Sequence, residues 1–458
     1  MAAVSMRPLP LFAWSLLAAF GTYFCMYAFR KPFTAAKFAE WSLWGVEYKI
    51  VLVTAQVFGY MLSKFIGIKV VSEMTPHRRV LVLLALIGIA EAALLMFGAT
   101  RPPYNAVWLF VNGLPLGMVF GLVMGFLEGR RQTEVLMAGL CASFIVADGV
   151  VKSVGARLLS AGVSEFWMPA LVGLLFLPPL LLFAWMLSRI PPPSPTDVEA
   201  RSQRSTMNGS ERWQLFWRYA IGLSLIVTAF TLVTILRSLR ADFAPEIWAG
   251  MQPIPDEGGW AKYADTFWYD SAKQSYSDDV FGWSEFAVGL LVILLAGSTV
   301  LIRNNRTAFY ASLFVSLAGS LLIMLALVGL AQAWLDPFTF MVLHGLGMYL
   351  PYIAVHTTVF ERLLAMTREK GNMAYLMYLA DSVGYLGYVA VMLVKNFAVA
   401  PAVGQAGAFL PFFVLTSWLI AVACVAVFIP AMVYFAWHPA TRTDESTPHR
   451  WQPAEAQA

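Results

Sequence analysis

Residues Thr22–Phe33 read TYFCMYAFRKPF and close the first long apolar run of the chain. That run, from about residue 11, has the length of a bilayer-crossing helix. It ends on two tyrosines and an adjacent Arg30 and Lys31. At i, i+4, i+7, Tyr23, Tyr27 and Arg30 fall on one face of a helix. The face reads either as an anchor at a membrane surface or as one wall of an anion site.

Working outward, the same length of apolar run recurs along the whole chain. With 59% hydrophobic and 13% charged residues, and a mean hydropathy of +0.68, the composition excludes a water-soluble globular protein. Lipid leaves no water for backbone groups, so the runs are expected as helices. Twelve spans are predicted, at about 11–31, 49–71, 80–99, 105–128, 135–159, 167–188, 214–239, 283–302, 308–331, 338–362, 373–396 and 407–437. The fold class is therefore all-α and integral to the membrane. The predicted organisation is an N-terminal six-helix bundle at 1–189, a Pro- and Ser-rich linker at 190–213, and a second bundle at 214–440. A loop at about 242–282 interrupts the second bundle, and a tail at 441–458 follows it. The first run is too long, and lacks the cleavage pattern, for a signal peptide.

Lys and Arg set the orientation. Arg78 and Arg79, Arg130 and Arg131, Arg201, Arg204 and Arg212, Arg303 and Arg306, and Arg368 and Lys370 all fall in even-numbered connections, on the side of both termini. SAGVSEF and AQAWLDP, on the other side, carry no basic residue. Both termini are expected in the cytoplasm. Against that bias, Arg30 and Lys31 stand at an outward-facing end.

The halves echo one another. VADGV around Asp148 in span five matches LADSV around Asp381 in span eleven. Glu128 and Glu361 close spans four and ten, and Arg30 and Arg237 sit near the ends of spans one and seven. Parallel repeats of this kind describe two bundles with a site at their interface near the bilayer midplane.

Charged residues inside spans cost about 2.5–3.5 kcal/mol each on insertion scales, so those present are expected to face a cavity or a partner. Tyr60 and Lys64 are i, i+4 in the middle of span two. Asp148 and Lys152 are i, i+4 in span five and read first as an intrahelical ion pair. Asp381 and Tyr385 share a face of span eleven; Asp381 is a candidate proton carrier or a partner for a basic residue across the cavity. Tyr349 and His356 share a face of span ten, across Pro351, and a mid-span histidine is a candidate proton shuttle. Arg240 and Asp242 read as an interfacial pair just outside the membrane. Glu91 in span three reads equally as an interhelical contact or a working carboxylate. Cys25, Cys141 and Cys424 lie in apolar runs and read as packing. No phosphate loop, metal-ligand spacing or catalytic arrangement is present, so neither enzyme activity, a cofactor nor a metal is expected.

In this pattern the sequence resembles the major facilitator superfamily, and particular residues resemble its organophosphate:phosphate antiporters of the glycerol-3-phosphate transporter type. These residues are Tyr23 and Tyr27 before Arg30-Lys31, Tyr60 before Ser63-Lys64-Phe65, and LRSLRADFAP with Arg237, Asp242 and Pro245. MYLP at Tyr349 and GYLG around Tyr385 complete them. The resemblance implies that Arg30 and Arg237 bind phosphate while Lys64, Tyr23, Tyr27, Tyr60, Tyr349 and Tyr385 line the pocket. It also implies a monomer in a bacterial cytoplasmic membrane. Asp148 stands near where that family has a site histidine, and KVVSEMTPHRR, with Glu73, lacks its Asp-Arg pair. Independently of the resemblance, two arginines and a lysine near the midplane repel one another until a dianion accepts their hydrogen bonds.

The expected partners are a small anionic solute and the lipid bilayer, with no nucleic acid. The loop after span seven reads as a lid, a protein-docking surface or a passive insertion. Alternatives are a transporter-like receptor or scaffold, and proton-coupled uptake of a sugar or amino acid through Asp148 or Asp381. Asp148, Lys152, Asp381 and His356 form the candidate relay.

Overall fold

The computed structural model describes residues 8–72, 74, 76–127, 130, 133–192, 209–251, 267–270, 275–299, 302, 304–367, 373–398 and 409–438. The linker core, the centre of the loop after span seven, the C-terminal tail, and Glu73, Glu128, Arg131, Arg201, Arg204, Arg303, Arg368 and Lys370 lie outside them.

In the first half the helices are α1 (Pro8–Tyr27), α2 (Tyr48–Ser72), α3 (Pro76–Ala99), α4 (Ala106–Leu127), α5 (Thr133–Ser160) and α6 (Met168–Ser188). An amphipathic α7 (Gly209–Arg218) leads into α8 (Ala220–Asp242) and the short α9 (Ala244–Gly250). Then come α10 (Val280–Thr299), α11 (Asn305–Ala331), α12 (Pro337–Ala354), α13 (Phe360–Thr367), α14 (Met373–Ala398) and α15 (Phe409–Trp437). Among the described residues eleven stretches are long and apolar enough to cross a membrane, one of them running from α12 through α13, and Val280–Leu295 of α10 is a shorter apolar helix. The chain is a multi-pass, all-α membrane protein with the twelve crossings the sequence predicts. Two short hairpins, Ser42–Leu43 with Val46–Glu47 and Tyr269–Asp270 with Ser275–Tyr276, are its described strands.

The internal repeat is visible in the packing. In the first half α1 packs on α5 and α6, α4 on α2 and α3, and α3 on α6. In the second, α8 packs on α14 and α15, α12 on α10 and α11, and α11 on α15. These are the same pairs six crossings later. The halves meet where α2 packs on α14 and α5 on α10. Large apolar side chains on the outer helices, such as Leu175 and Leu182 of α6, Phe314 and Leu325 of α11, and Leu415 and Leu419 of α15, are exposed; they present the surface that acyl chains would cover.

Two departures from regular helix position the interior. First, α1 stops at Tyr27, so Arg30 is not on the helix that the i, i+7 spacing predicts. The amides of Arg30 and Lys31 both bond to the Tyr27 carbonyl at 3.0 and 2.9 Å, and a 3-10 turn over Pro32–Ala35 follows. This irregular segment is buried through Ala36, a situation tolerated at membrane depth only where protein satisfies the backbone. Gln56 Nε2 donates to the Arg30 carbonyl at 2.8 Å, Asn112 Nδ2 to that of Phe29 at 3.0 Å, and Lys49 Nζ to that of Thr34 at 2.8 Å. Second, α12 passes into a π-helical turn at Val355–Val359 before α13. Pro351, which lacks an N–H, stands one turn upstream in α12, and the wider turn carries His356.

On the face opposite the chain termini the halves are tied together. Lys31 pairs with Asp242, Lys49 Nζ with Glu246 Oε1 at 2.6 Å, and Arg157 with Asp279. Ser160 Oγ donates to Asp278 Oδ2 at 2.9 Å, and the Gly282 amide to Ser153 Oγ at 3.0 Å. The loop after span seven thus reaches the first half from both of its ends, while Trp268 stacks on Phe338 of α12 at 4.8 Å. Arg240 and Asp242 do not form the expected interfacial pair. Both are buried; Arg240 pairs with Glu285, and Asp242 takes Lys31 and Tyr388, because two residues along a helix point about 200° apart, at different neighbours.

Helices α2 and α4 touch backbone to backbone through glycine. A Cβ on Gly113 would lie 2.2 Å from the Gln56 carbonyl oxygen, and one on Gly59 2.2 Å from that of Phe110. Gly113→Val is expected to destabilise the protein by about 1–3 kcal/mol through overpacking, read as a lowered thermal midpoint in detergent. An unchanged midpoint would show that the helices separate without cost.

Candidate functional site

Between the halves lies a narrow cavity lined by Tyr23, Tyr27, Tyr60, Lys64, Phe120 and Phe144 from the first half and by Tyr352, His356, Asp381 and Tyr385 from the second. Arg30 and Arg237 reach its aromatic wall from opposite sides. The Arg30 guanidinium carbon lies 3.7 Å from the centre of the Tyr60 ring and 5.6 Å from that of Tyr385. Arg237 Nη2 donates to Tyr385 Oη at 3.0 Å, and its guanidinium carbon lies 4.7 Å from the Tyr352 ring centre and 5.9 Å from that of Phe144. Tyr385 therefore touches both arginines, and its ring meets Tyr60 at 4.9 Å across the interface.

Toward the terminal face, Lys64 Nζ of α2 meets Asp381 Oδ2 of α14 at 2.8 Å. The other Asp381 oxygen lies 3.4 Å from His356 Nε2, while His356 Nδ1 sits 3.1 Å from the Tyr352 carbonyl. One carboxylate thus joins a lysine of the first half to a histidine of the second.

Apart from Arg130, which donates to the Phe126 and Pro191 carbonyls, the buried cations fall into two sets. Lys31, Lys49, Lys64, Lys152 and Arg240 each hold a carboxylate. Among the described residues no carboxylate lies within 4.0 Å of Arg30 or Arg237, and Arg30 Nε and Nη1 and Arg237 Nε are buried without a hydrogen-bond partner. Aromatic faces return only about 0.5–2 kcal/mol per cation. Each guanidinium therefore keeps buried N–H donors without a protein acceptor.

Of the candidate residues, the fold thus brings together Tyr23, Tyr27, Tyr60, Lys64, Tyr385, Asp381 and His356 around the cavity, with Arg30 and Arg237 behind its rings. Tyr349 stands one layer back, 6.4 Å from Phe144 and 6.5 Å from Tyr352 between ring centres. Asp148 and Lys152 pair with each other on α5 and do not line the cavity. Three lining residues escaped the sequence reading: Phe120, Phe144 and Tyr352. Tyr352 carried a signal, one turn before His356 on the same face; the two phenylalanines carried none among 33 in the chain. Among the described residues no cluster of three metal-ligating side chains occurs, and the three cysteines are free and buried.

This architecture is the major facilitator fold. A D-xylose–proton symporter superposes with a TM-score of 0.54 at 12% identity, over 90% of this chain and 97% of that one. The nucleoside transporter NupG, in a mutant form, gives 0.56 at 16%, over 91% and 100%. No curated protein matches the sequence. The chain belongs to the family described as "Family of unknown function (DUF5690)", matched over residues 32–438.

Asp381→Asn removes the carboxylate facing Lys64 and is expected to cost about 3–5 kcal/mol, the price of a buried charge left unpaired. A K64M/D381L double variant is expected to recover most of that loss in thermal unfolding. Equal stability of D381N and wild type would show that Lys64 reaches water.

Proposed function

We propose that the protein is a secondary transporter that moves a small, doubly charged anion, an organic phosphate or phosphate itself, by alternating access. The observation carrying this reading is the pair of buried arginines without carboxylate partners, one from each half, converging on Tyr385. Guanidinium offers planar paired donors that match phosphate oxygens. Two positive charges held in a low dielectric favour a dianion over a neutral solute.

The mechanism follows from where the charges sit. The described conformation is closed on the face opposite the termini by the ties between the halves. A solute entering from the terminal face would meet Lys64, Asp381 and His356 before the arginines. Empty, the arginines repel; occupied, they share an anion contacted by both halves, which lowers the cost of rocking one half against the other. That dependence on occupancy is the requirement for exchange of one anion for another. The positive-inside bias supports cytoplasmic termini, and the family resemblance supports a monomer in a bacterial cytoplasmic membrane.

A second reading is proton-coupled uptake. The observation favouring it is the Lys64–Asp381–His356 chain, in which a carboxylate bridges the halves within reach of a titratable imidazole. It predicts that inward movement of solute acidifies the vesicle lumen and that Asp381→Asn abolishes the acidification.

The deciding measurement is uptake of radiolabelled phosphate into proteoliposomes preloaded with unlabelled phosphate. Wild type is expected to exchange. Arg30→Lys and Arg237→Lys, which keep the charge but lose the planar fork, are expected to lose at least about tenfold in apparent affinity, roughly 1.4 kcal/mol. Exchange unaffected by both substitutions would overturn the arginine site. Absence of exchange from folded wild type would shift the reading to another solute or to sensing.

A further inference from the structure

Among the buried carboxylates, Glu91 is set apart. Asp148, Asp242, Glu285 and Asp381 each face a cation. Glu91 is 7% exposed, and neither of its oxygens has a hydrogen-bond partner. It stands eight residues before the Ala99 end of α3, roughly 12 Å along the helix. The site is shaped for it: a Cβ on Gly173 of α6 would lie 2.1 Å from Glu91 Oε2 and 3.3 Å from the Phe29 ring. Gly173 thus opens a notch between α3, α6 and the end of α1.

Among the described residues no charge faces the notch. The described helices packed there, α1, α4 and α6, contain no Asp, Glu, Lys, Arg or His. Past the end of α1, Arg30 is turned away onto Tyr60 and Lys31 onto Asp242. The basic residues of α3 stand at its opposite end. An ionised carboxylate without a counter-charge or hydrogen bond is strongly disfavoured at such a site.

We infer that Glu91 is a proton-binding site in the first half, outside the central cavity, occupied in the described conformation and emptied when the notch opens to water. Its setting supplies the linkage. Phe29, in contact with the notch, immediately precedes Arg30, and Asn112 Nδ2 donates both to the Phe29 carbonyl and to that of Ala90, each at 3.0 Å. Rearrangement of the non-helical end of α1 therefore reaches the wall of the notch through Phe29 and, through Asn112, the backbone next to Glu91. Because the conformation described here holds the proton, raising the pH disfavours it relative to one in which Glu91 is hydrated.

The test uses the full chain reconstituted in lipid, followed by infrared difference spectroscopy between about pH 5 and pH 9. Wild type is expected to show the carbonyl stretch of a protonated carboxylic acid at low pH and its loss at high pH. Glu91→Gln, a neutral isostere, is expected to lack that band, while Asp148→Asn and Asp381→Asn retain it. The pH dependence of phosphate exchange is expected to flatten in Glu91→Gln. A band missing at every pH, or surviving in Glu91→Gln, would overturn the proton site. A band that persists at every pH would reduce Glu91 to a permanently neutral packing group, and an unchanged exchange profile in Glu91→Gln would exclude its link to transport. If wild type exchanges no phosphate, the anion reading fails, and the infrared titration still decides the proton site by itself.

Discussion

A cation buried among helices needs an anion within reach, because the interior cannot replace the water it gave up. The structure meets that demand for Lys31, Lys49, Lys64, Lys152 and Arg240 and leaves it unmet at Arg30 and Arg237. The exception is informative because the rule is kept so widely around it. Both arginines are fixed by aromatic rings, which hold a guanidinium plane without neutralising it. Tyr385 lies between them and belongs to the second half, whereas Arg30 and Tyr60 belong to the first. The electrostatic demand therefore lies across the interface between the two halves.

Holding charge at that depth required breaking regular structure. Helix α1 ends inside the protein, and carbonyls of the irregular segment that follows it are taken up by Gln56, Asn112 and Lys49. A helix that ends inside the protein can turn consecutive residues in different directions. Arg30 goes to the cavity and Lys31 to Asp242, which an unbroken helix would separate by about 100° about its axis. The π turn after Pro351 does comparable work in the second half, setting His356 over Tyr352 at 4.5 Å and beside Asp381.

The two faces differ in how the halves are held. Opposite the termini, ion pairs and hydrogen bonds from the turn after α1, from α2 and from α5 reach α8, α9 and the loop before α10. Arg157 and Asp279 are exposed enough for screening to leave their pair little net strength, whereas Lys31 and Asp242 are buried. Opening that face means separating a buried pair, and water or a replacement partner has to offset the loss. The long loop after span seven adds contacts to the same closure from outside the helical repeat.

Composition, periodicity and repeated motifs by themselves determined the membrane class, the twelve crossings, most of their ends to within a few residues, and the equivalence of the halves; span seven begins later than its apolar run, at Ala220. Each of these follows from a local rule: lipid admits helix, and helix has a fixed rise per residue. The chain also showed that Lys64 and Asp381 were charges in need of partners, but not that they were partners for each other. Only the tertiary structure decided that pairing. It also separated Arg240 from Asp242, took Asp148 and Lys152 out of the cavity, set Tyr349 behind Tyr352, and brought in Phe120 and Phe144. Those outcomes depend on which helices cross at which depth, and on a break in α1 whose stabilising groups, Gln56 and Asn112, lie far along the chain. Spacing along one helix gives a shared face; which of the other helices meets that face is a property of the packed bundle.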